Sequence, residues 1–250
     1  MNLQNTGCID FLGIKVSVLT IDDIAKEILR FALTGRHKII TYLNAHCVNI
    51  SFNDEDYKRI LNLADIVYAD GKSIVWASFL LKKVLPERFT SIEYFDRLIG
   101  EFIKYNISFY FLGCKADIVI KVVENLKKTF HDVKIKGFHN GYFDHEEERK
   151  VINEINKLRP HILMVGMGVP KQEKWVYKHL SELDVNLCWI VGGTLDNLSG
   201  VLKRPPKWMS NTGFAWLYRL FQEPKRLRRR YLIGNLIFIY NVLKFKIKNK

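Results

Sequence analysis

Between residues 15 and 191 two kinds of hydrophobic pattern alternate along the chain. Short runs rich in β-branched and aromatic residues predict strands at 15–19, 38–43, 66–68, 108–112, 133–138, 162–165 and 187–191. Between them apolar residues recur every three or four positions, which predicts helices at 22–33, 56–63, 73–81, 92–105, 116–130, 145–158 and 171–183. Strands separated by helices run parallel, because each helix carries the chain back along the sheet. The expected fold is therefore α/β, a Rossmann-like, mostly parallel sheet flanked by helices. After Lys203 the pattern turns helical and basic to the end. No linker rich in Pro, Gly or Ser precedes that point, so the expected organisation is a core, 1–202, with a basic amphipathic helical C-terminal appendage, 203–250.

Charge sharpens this division. Residues 203–250 hold thirteen Lys and Arg against one acid, Glu223, and so carry +12 of the formal net charge of +13. The segment is also greasy: Trp208, Phe214, Trp216, Leu217, Tyr218, Leu220 and Phe221 precede the basic cluster at 225–230, and YLIGNLIFIYNVL follows it. An anionic membrane surface offers headgroup charge and apolar depth together, and each Lys or Arg beside it contributes roughly 1 kcal/mol. The competing reading, a solvated polybasic tail, fits poorly with so many aromatics. Nucleic acid is not expected as a partner, since the aromatics cluster before the basic run instead of alternating with it. The apolar run at 231–243 is thirteen residues long, whereas spanning a bilayer takes roughly 20; it should lie on a membrane rather than cross it. Residues 1–13 lack the pattern of a secretory signal. Cys8, Cys47, Cys114 and Cys188 are widely spaced, which suggests neither a disulfide framework nor a zinc site, and they read as buried small apolar residues in a reducing compartment.

Three of the expected strands, FYFLG at 109–113, ILMVG at 162–166 and WIVGG at 189–193, run into glycine and then a helix. Such turns line the carboxyl edge of a parallel sheet, where helix N-termini favour phosphate, so a nucleotide-type ligand is implied. Pro170 fits the first position of a helix. Asp70 ends an apolar run and precedes Gly71. A carboxylate there can take a proton from a bound hydroxyl, or it can cap the following helix; spacing alone leaves both open. Asp54-Glu55-Asp56 matches a metal-holding pattern of sugar-nucleotide enzymes, but it sits where acids ordinarily start a helix. The seven histidines are scattered, and no metal or other cofactor is expected. Gly166-Met167-Gly168 lacks the third glycine of a dinucleotide fingerprint, and no nucleophile motif is present.

These residues and others in the same order resemble the WecG/TagA/CpsF family of bacterial glycosyltransferases. The resemblance is carried by TYLNAH around Asn44, ADGKSIVWA at 69–77, Arg88, FLG at 111–113, GMGVPKQEKW at 166–175, VGGTLDNLSG at 191–200, RPPKW at 204–208 and WLYRLFQEPKRLRRRY at 216–231. It implies inverting transfer of a sugar, typically N-acetylmannosamine, from a UDP-sugar to a polyprenyl-diphosphate-linked acceptor. The setting it implies is cell-surface polymer synthesis, with the enzyme peripheral on the cytoplasmic face of the membrane. By the same resemblance Asp70 is the base. Thr41, Asn44, Arg88, Gly168, Gln172, Gly192, Gly193 and Asp196 contribute to substrate binding, and Arg219, Arg226 and Arg229 face the leaving diphosphate. Tyr42, the Ser91-Ile92-Glu93 segment and Ala215 depart from the family pattern and bear on which sugars are used. A different donor within the family, a non-catalytic UDP-sugar or lipid-binding role, and a homo-oligomer all remain open at this stage.

Overall fold

A computed structural model describes residues 7–86, 88 and 90–248; the outer ends of the two segments inferred above, 1–6 and 249–250, lie outside the described residues. Its centre is a six-stranded sheet made of β3 (Lys38–Leu43), β4 (Ile66–Ala69), β5 (Ser108–Gly113), β6 (Lys134–His139), β7 (Ile162–Gly166) and β8 (Leu187–Ile190). The spatial order is β4-β3-β8-β7-β5-β6, and every neighbouring pair is parallel. Strands covered on both faces need apolar residues at consecutive positions. The sequences IVYA, SFYFLG, ILMVG and LCWI meet that need and are buried throughout. At the edge, β6 (KIKGFH) has no fully buried residue and carries two lysines, which discourages pairing with another chain.

Helices cover both faces. On one side α1 (Ile21–Thr34), α5 (Ser91–Lys104), α9 (Thr194–Leu198) and α6 (Ala116–Thr129) adjoin in turn; on the other, α8 (Lys171–His179), α3 (Glu55–Leu63) and α2 (Ala45–Ser51). α4 (Lys72–Leu80) follows β4, and α7 (His145–Leu158) packs beside β6. At their carboxyl ends β3 continues into α2 on one face of the sheet and β8 into α9 on the other. Their carboxyl-end connections thus diverge, which opens a cleft between them.

The expected first strand takes a different place. Ile14–Ser17 (β2) pairs antiparallel with Cys8–Phe11 (β1) as a separate hairpin, turned at Leu12-Gly13, both of which have positive φ. A hairpin at the start of a chain needs only a two-residue turn, so it escapes the parallel crossover rule. Helix α2 is also additional to the predicted set; its seven residues, AHCVNIS, are too few to display a helical period. Pro170 stands one residue before α8, at its N-cap, after a cis Val169-Pro170 bond. Of the cysteines, Cys47 and Cys188 are buried as expected, but Cys114 is half-buried and Cys8 exposed.

Beyond residue 203 the chain forms α10 (Lys207–Thr212), α11 (Ala215–Gln222), α12 (Pro224–Arg228), a π-helical turn at Arg229–Ile233 and α13 (Gly234–Lys248). α13 docks on α2: Asn49 Nδ2 donates to the Gly234 carbonyl at 2.7 Å, and Phe238 and Val242 join the main core. Its other side leaves Leu236, Ile239, Tyr240, Leu243 and Ile247 exposed. No helix among the described residues is long and apolar enough to cross a membrane.

Candidate active site

Asp70 lies one residue beyond β4. Its N–H donates to the Leu43 carbonyl at 2.8 Å, which prolongs the β3–β4 ladder and sets Asp70 beside Asn44. Asn44 caps α2, its Oδ1 accepting from the amides of His46 (3.0 Å) and Cys47 (3.1 Å). With that oxygen committed to the helix, Nδ2 points at Asp70 Oδ2, 3.4 Å away. The two readings left open for Asp70 now separate. The N-cap of α4 is Gly71, with φ +98°, and no side chain caps that helix. Asp70's carboxylate is therefore not spent on capping.

Burial pushes the Asp70 carboxyl above the usual carboxylate range. The Asn44 hydrogen bond and the charges of Arg219, Arg230 and Arg88 pull the other way. Those arginines come from three parts of the chain: the connection before α5, helix α11 and the π-helical turn. Arg88 also pairs with Glu93 at 3.2 Å, one of the positions that departs from the family pattern. The Arg219 guanidinium lies against Gly193, where a Cβ would stand 2.8 Å from its nitrogen, so α11 reaches over the turn after β8. Arg219 Nε and Arg230 Nε are buried without hydrogen-bond partners among the described residues. Arg226 pairs with Glu223 at 2.5 Å and approaches Asp196 at 3.8 Å, which is half-buried at the start of α9.

The floor of the cleft is bare backbone. A Cβ on Gly113 would meet the Gly166 carbonyl at 2.4 Å, and one on Gly166 would meet the Gly192 oxygen at 2.7 Å. On Gly192 it would stand 2.2 Å from the Tyr42 hydroxyl. Side chains are thus excluded where the ends of β5, β7, β8 and β3 converge. Gly168, with φ +85°, donates its N–H to Gln172 Oε1 at 3.2 Å. Gln172 is fully buried and also donates to the Tyr42 hydroxyl at 3.2 Å, so it acts beneath the floor rather than on its surface.

The structure accordingly gathers Asn44, Asp70, Arg88, Gly193 and Arg219 around one cleft, with Asp196 and Arg226 beside it. Thr41 stays inside the sheet, 1% exposed, its hydroxyl unpartnered. Arg229 is exposed and lines an adjoining groove of about 630 Å³ with His46, Asn49, Arg226, Arg230 and Ile237. Burial and Arg230 hold His46 near 4, so its ring is neutral at pH 7. Sequence reasoning missed Arg230. Three consecutive arginines, 228–230, cannot be told apart by spacing, and the π-helical turn that begins at Arg229 shifts the helical phase just there.

Asp54-Glu55-Asp56 behaves as a helix start. Asp54 caps α3 by accepting from Tyr57 N at 2.9 Å and pairs with Lys174 at 2.8 Å, while Asp56 pairs with Arg59 at 2.7 Å. Among the described residues no group of three or more His, Cys, Asp or Glu has an arrangement suited to a metal ion.

The chain is 29% identical over 249 residues to proteins of Staphylococcus aureus strains MW2 and NCTC 8325, each named N-acetylglucosaminyldiphosphoundecaprenol N-acetyl-beta-D-mannosaminyltransferase. The match spans 99% of this chain and 96% of each relative. A family model matches residues 9–250, from the first hairpin through the last helix. The protein belongs to the WecG/TagA/CpsF family of glycosyl transferases.

Proposed function

We propose that this chain transfers N-acetylmannosamine from its UDP-activated form to a polyprenyl-diphosphate-linked N-acetylglucosamine, with inversion at the anomeric carbon. In this reading Asp70 accepts the proton of the acceptor hydroxyl as that oxygen attacks the anomeric carbon, and UDP departs from the opposite face. Asn44 holds the carboxylate in place. Arg219 and Arg230 stabilise the charge of the departing diphosphate, and Arg226 adds to the positive field. The glycine floor lets the diphosphate approach backbone at the ends of β7 and β8. No step requires a metal ion.

The observation that carries this reading is the meeting of an uncapped, half-buried Asp70 with arginines from three separate segments. The appendage, 203–250, supplies two of those arginines and also the exposed apolar stripe of α13. That combination suits a segment which completes the site while resting on an anionic membrane, where a polyprenyl acceptor resides. The groove beside Arg229 and Arg230 continues past Ile233 and Ile237, apolar enough for the first units of a lipid chain. The protein would then be peripheral on the cytoplasmic face. To test the reading, UDP release by the purified full-length protein is measured across a panel of UDP-sugars with a short-chain lipid-diphosphate N-acetylglucosamine. Release with UDP-N-acetylmannosamine that depends on acceptor is the expected result. Release with another UDP-sugar alone would reassign the donor, and none with any donor would make the protein a non-catalytic binding subunit.

A further inference from the structure

Beneath the cleft floor Glu173 is 1% exposed. Its Oε1 accepts from Gln172 Nε2 at 2.8 Å, and its Oε2 has no partner. Among the described residues no cation pairs with it. A buried carboxylate held only by neutral donors, the Gln172 amide and its own backbone N–H, is costly, and a glutamine of the same shape would avoid that cost. The acid therefore calls for an explanation beyond packing.

We propose that Glu173 is a positioning residue for the donor site: it locks the orientation of the Gln172 amide, which ties the glycine turn after β7 to the one after β8. The amide has two N–H groups and one oxygen. Its N–H groups go to Glu173 and to the Tyr42 hydroxyl, and its oxygen takes the Gly168 N–H. A flipped amide would put its NH₂ against the Gly168 N–H and its oxygen against the carboxylate. An ionised acid only accepts, so it permits one orientation. The Tyr42 hydroxyl held in this way lies against Gly192. One buried network thus links Gly168 to Gly192, the two turns to which the proposed function assigns the donor diphosphate, and the inference rests on that reading for its ligand.

Charge in this network changes near neutral pH. Burial lifts the Glu173 carboxyl to about 7. The groups facing it are Tyr42 from β3, Cys47 from α2, Tyr57 from α3 and Gln172 from α8. Burial raises Cys47 to about 12 and both tyrosines well above their usual value, so these stay neutral. Once protonated, Glu173 can donate to the oxygen of a flipped amide, and only the Gly168 N–H still opposes the flip.

The test uses the full-length chain with Glu173→Gln and Glu173→Leu, and UDP-N-acetylmannosamine as probe, because its doubly esterified diphosphate does not titrate between pH 6 and 9. Wild-type affinity should strengthen as pH rises through about 7. Glu173→Gln should show no such rise, and Glu173→Leu should bind about tenfold more weakly, as loss of one buried hydrogen bond predicts. Hydrogen exchange at the Gly168 amide gives a readout that needs no donor. It should quicken about tenfold in Glu173→Leu at pH 8. A pH profile unchanged in Glu173→Gln, or wild-type protection at Gly168 in folded Glu173→Leu, would overturn the inference. Failure of the wild type to bind the probe, with Gly168 exchange responding as expected, would overturn the donor reading and leave the Glu173 link standing.

Discussion

On the function proposed above, replacing Asp70 by asparagine removes the base and almost nothing else. The amide keeps an oxygen where Oδ2 stands, so the 3.4 Å contact from Asn44 survives. The backbone bond to Leu43 is untouched. Loss of a general base costs about 10²- to 10⁴-fold in rate, which is about 3–5 kcal/mol of transition-state stabilisation. Binding of UDP should move the other way: the substitution deletes a negative charge facing Arg88, Arg219 and Arg230, leaving them freer to attract a diphosphate. Stability should not suffer either. Because burial raises the folded-state pKa of Asp70, the folded protein holds that proton more tightly than the unfolded chain, and stability is lost as pH rises through the folded value. The asparagine variant escapes that loss and should melt no lower than wild type at pH 8. Three measurements decide: acceptor-dependent UDP release, calorimetric UDP binding, and thermal unfolding at pH 5 and 8. A folded variant with a near wild-type rate would refute the base assignment. Parallel loss of UDP affinity and rate would make Asp70 a binding residue instead.

Phe238→Ala should cost about 3–5 kcal/mol, since Phe238 is 5% exposed against α2; urea unfolding checks this, and a loss below about 1 kcal/mol would mean that α13 is not held by that contact. Deleting 203–250 should leave a core of reduced stability that no longer binds anionic vesicles, and binding by the full chain should weaken steeply as salt shortens the Debye length to well under about 10 Å; salt-independent binding would point to apolar insertion alone. Charge reversal at Arg219 and Arg230 should lower turnover even with a soluble acceptor, whereas an unchanged rate would reduce the appendage to an anchor. Chelators should leave activity unchanged; loss with EDTA, restored by manganese or magnesium, would show that a metal takes part.

The sheet was legible because strands buried on both faces must be apolar without interruption, and ILMVG and LCWI announce themselves in that way. Asp70 was visible as a position but not as a role. An acid followed by glycine after a strand suits a cap and a base equally, and only the structure shows that Gly71 takes the cap position and leaves the carboxylate out of it. Asn44 shows the reverse: it caps a helix too short for its period to be read, and through that cap it faces the acid. Arg230 and Tyr42 were hidden for different reasons. The π-helical turn scrambles the phase of the arginine run, and the Tyr42 hydroxyl gains its meaning only from Gln172, 130 residues away. Glu173 stands in the first turn of a helix, where acids are ordinary, and nothing in its spacing foretells burial.

The row of glycines across the ends of β5, β7 and β8 limits how this enzyme can change. With a neighbour 2.4–2.7 Å from the Cβ that Gly113 or Gly166 would acquire, and Tyr42 at 2.2 Å from that of Gly192, none of the three can take a side chain alone. A surface that admits no side chains offers no position at which a substitution could change what it binds. New preferences must be written in the walls: the connection bearing Arg88 with its partner Glu93, the start of α9, and the helices after residue 203. Those walls are separate stretches of chain resting on a constant base, so exchanging them between relatives is the natural route to a transferase with a new donor.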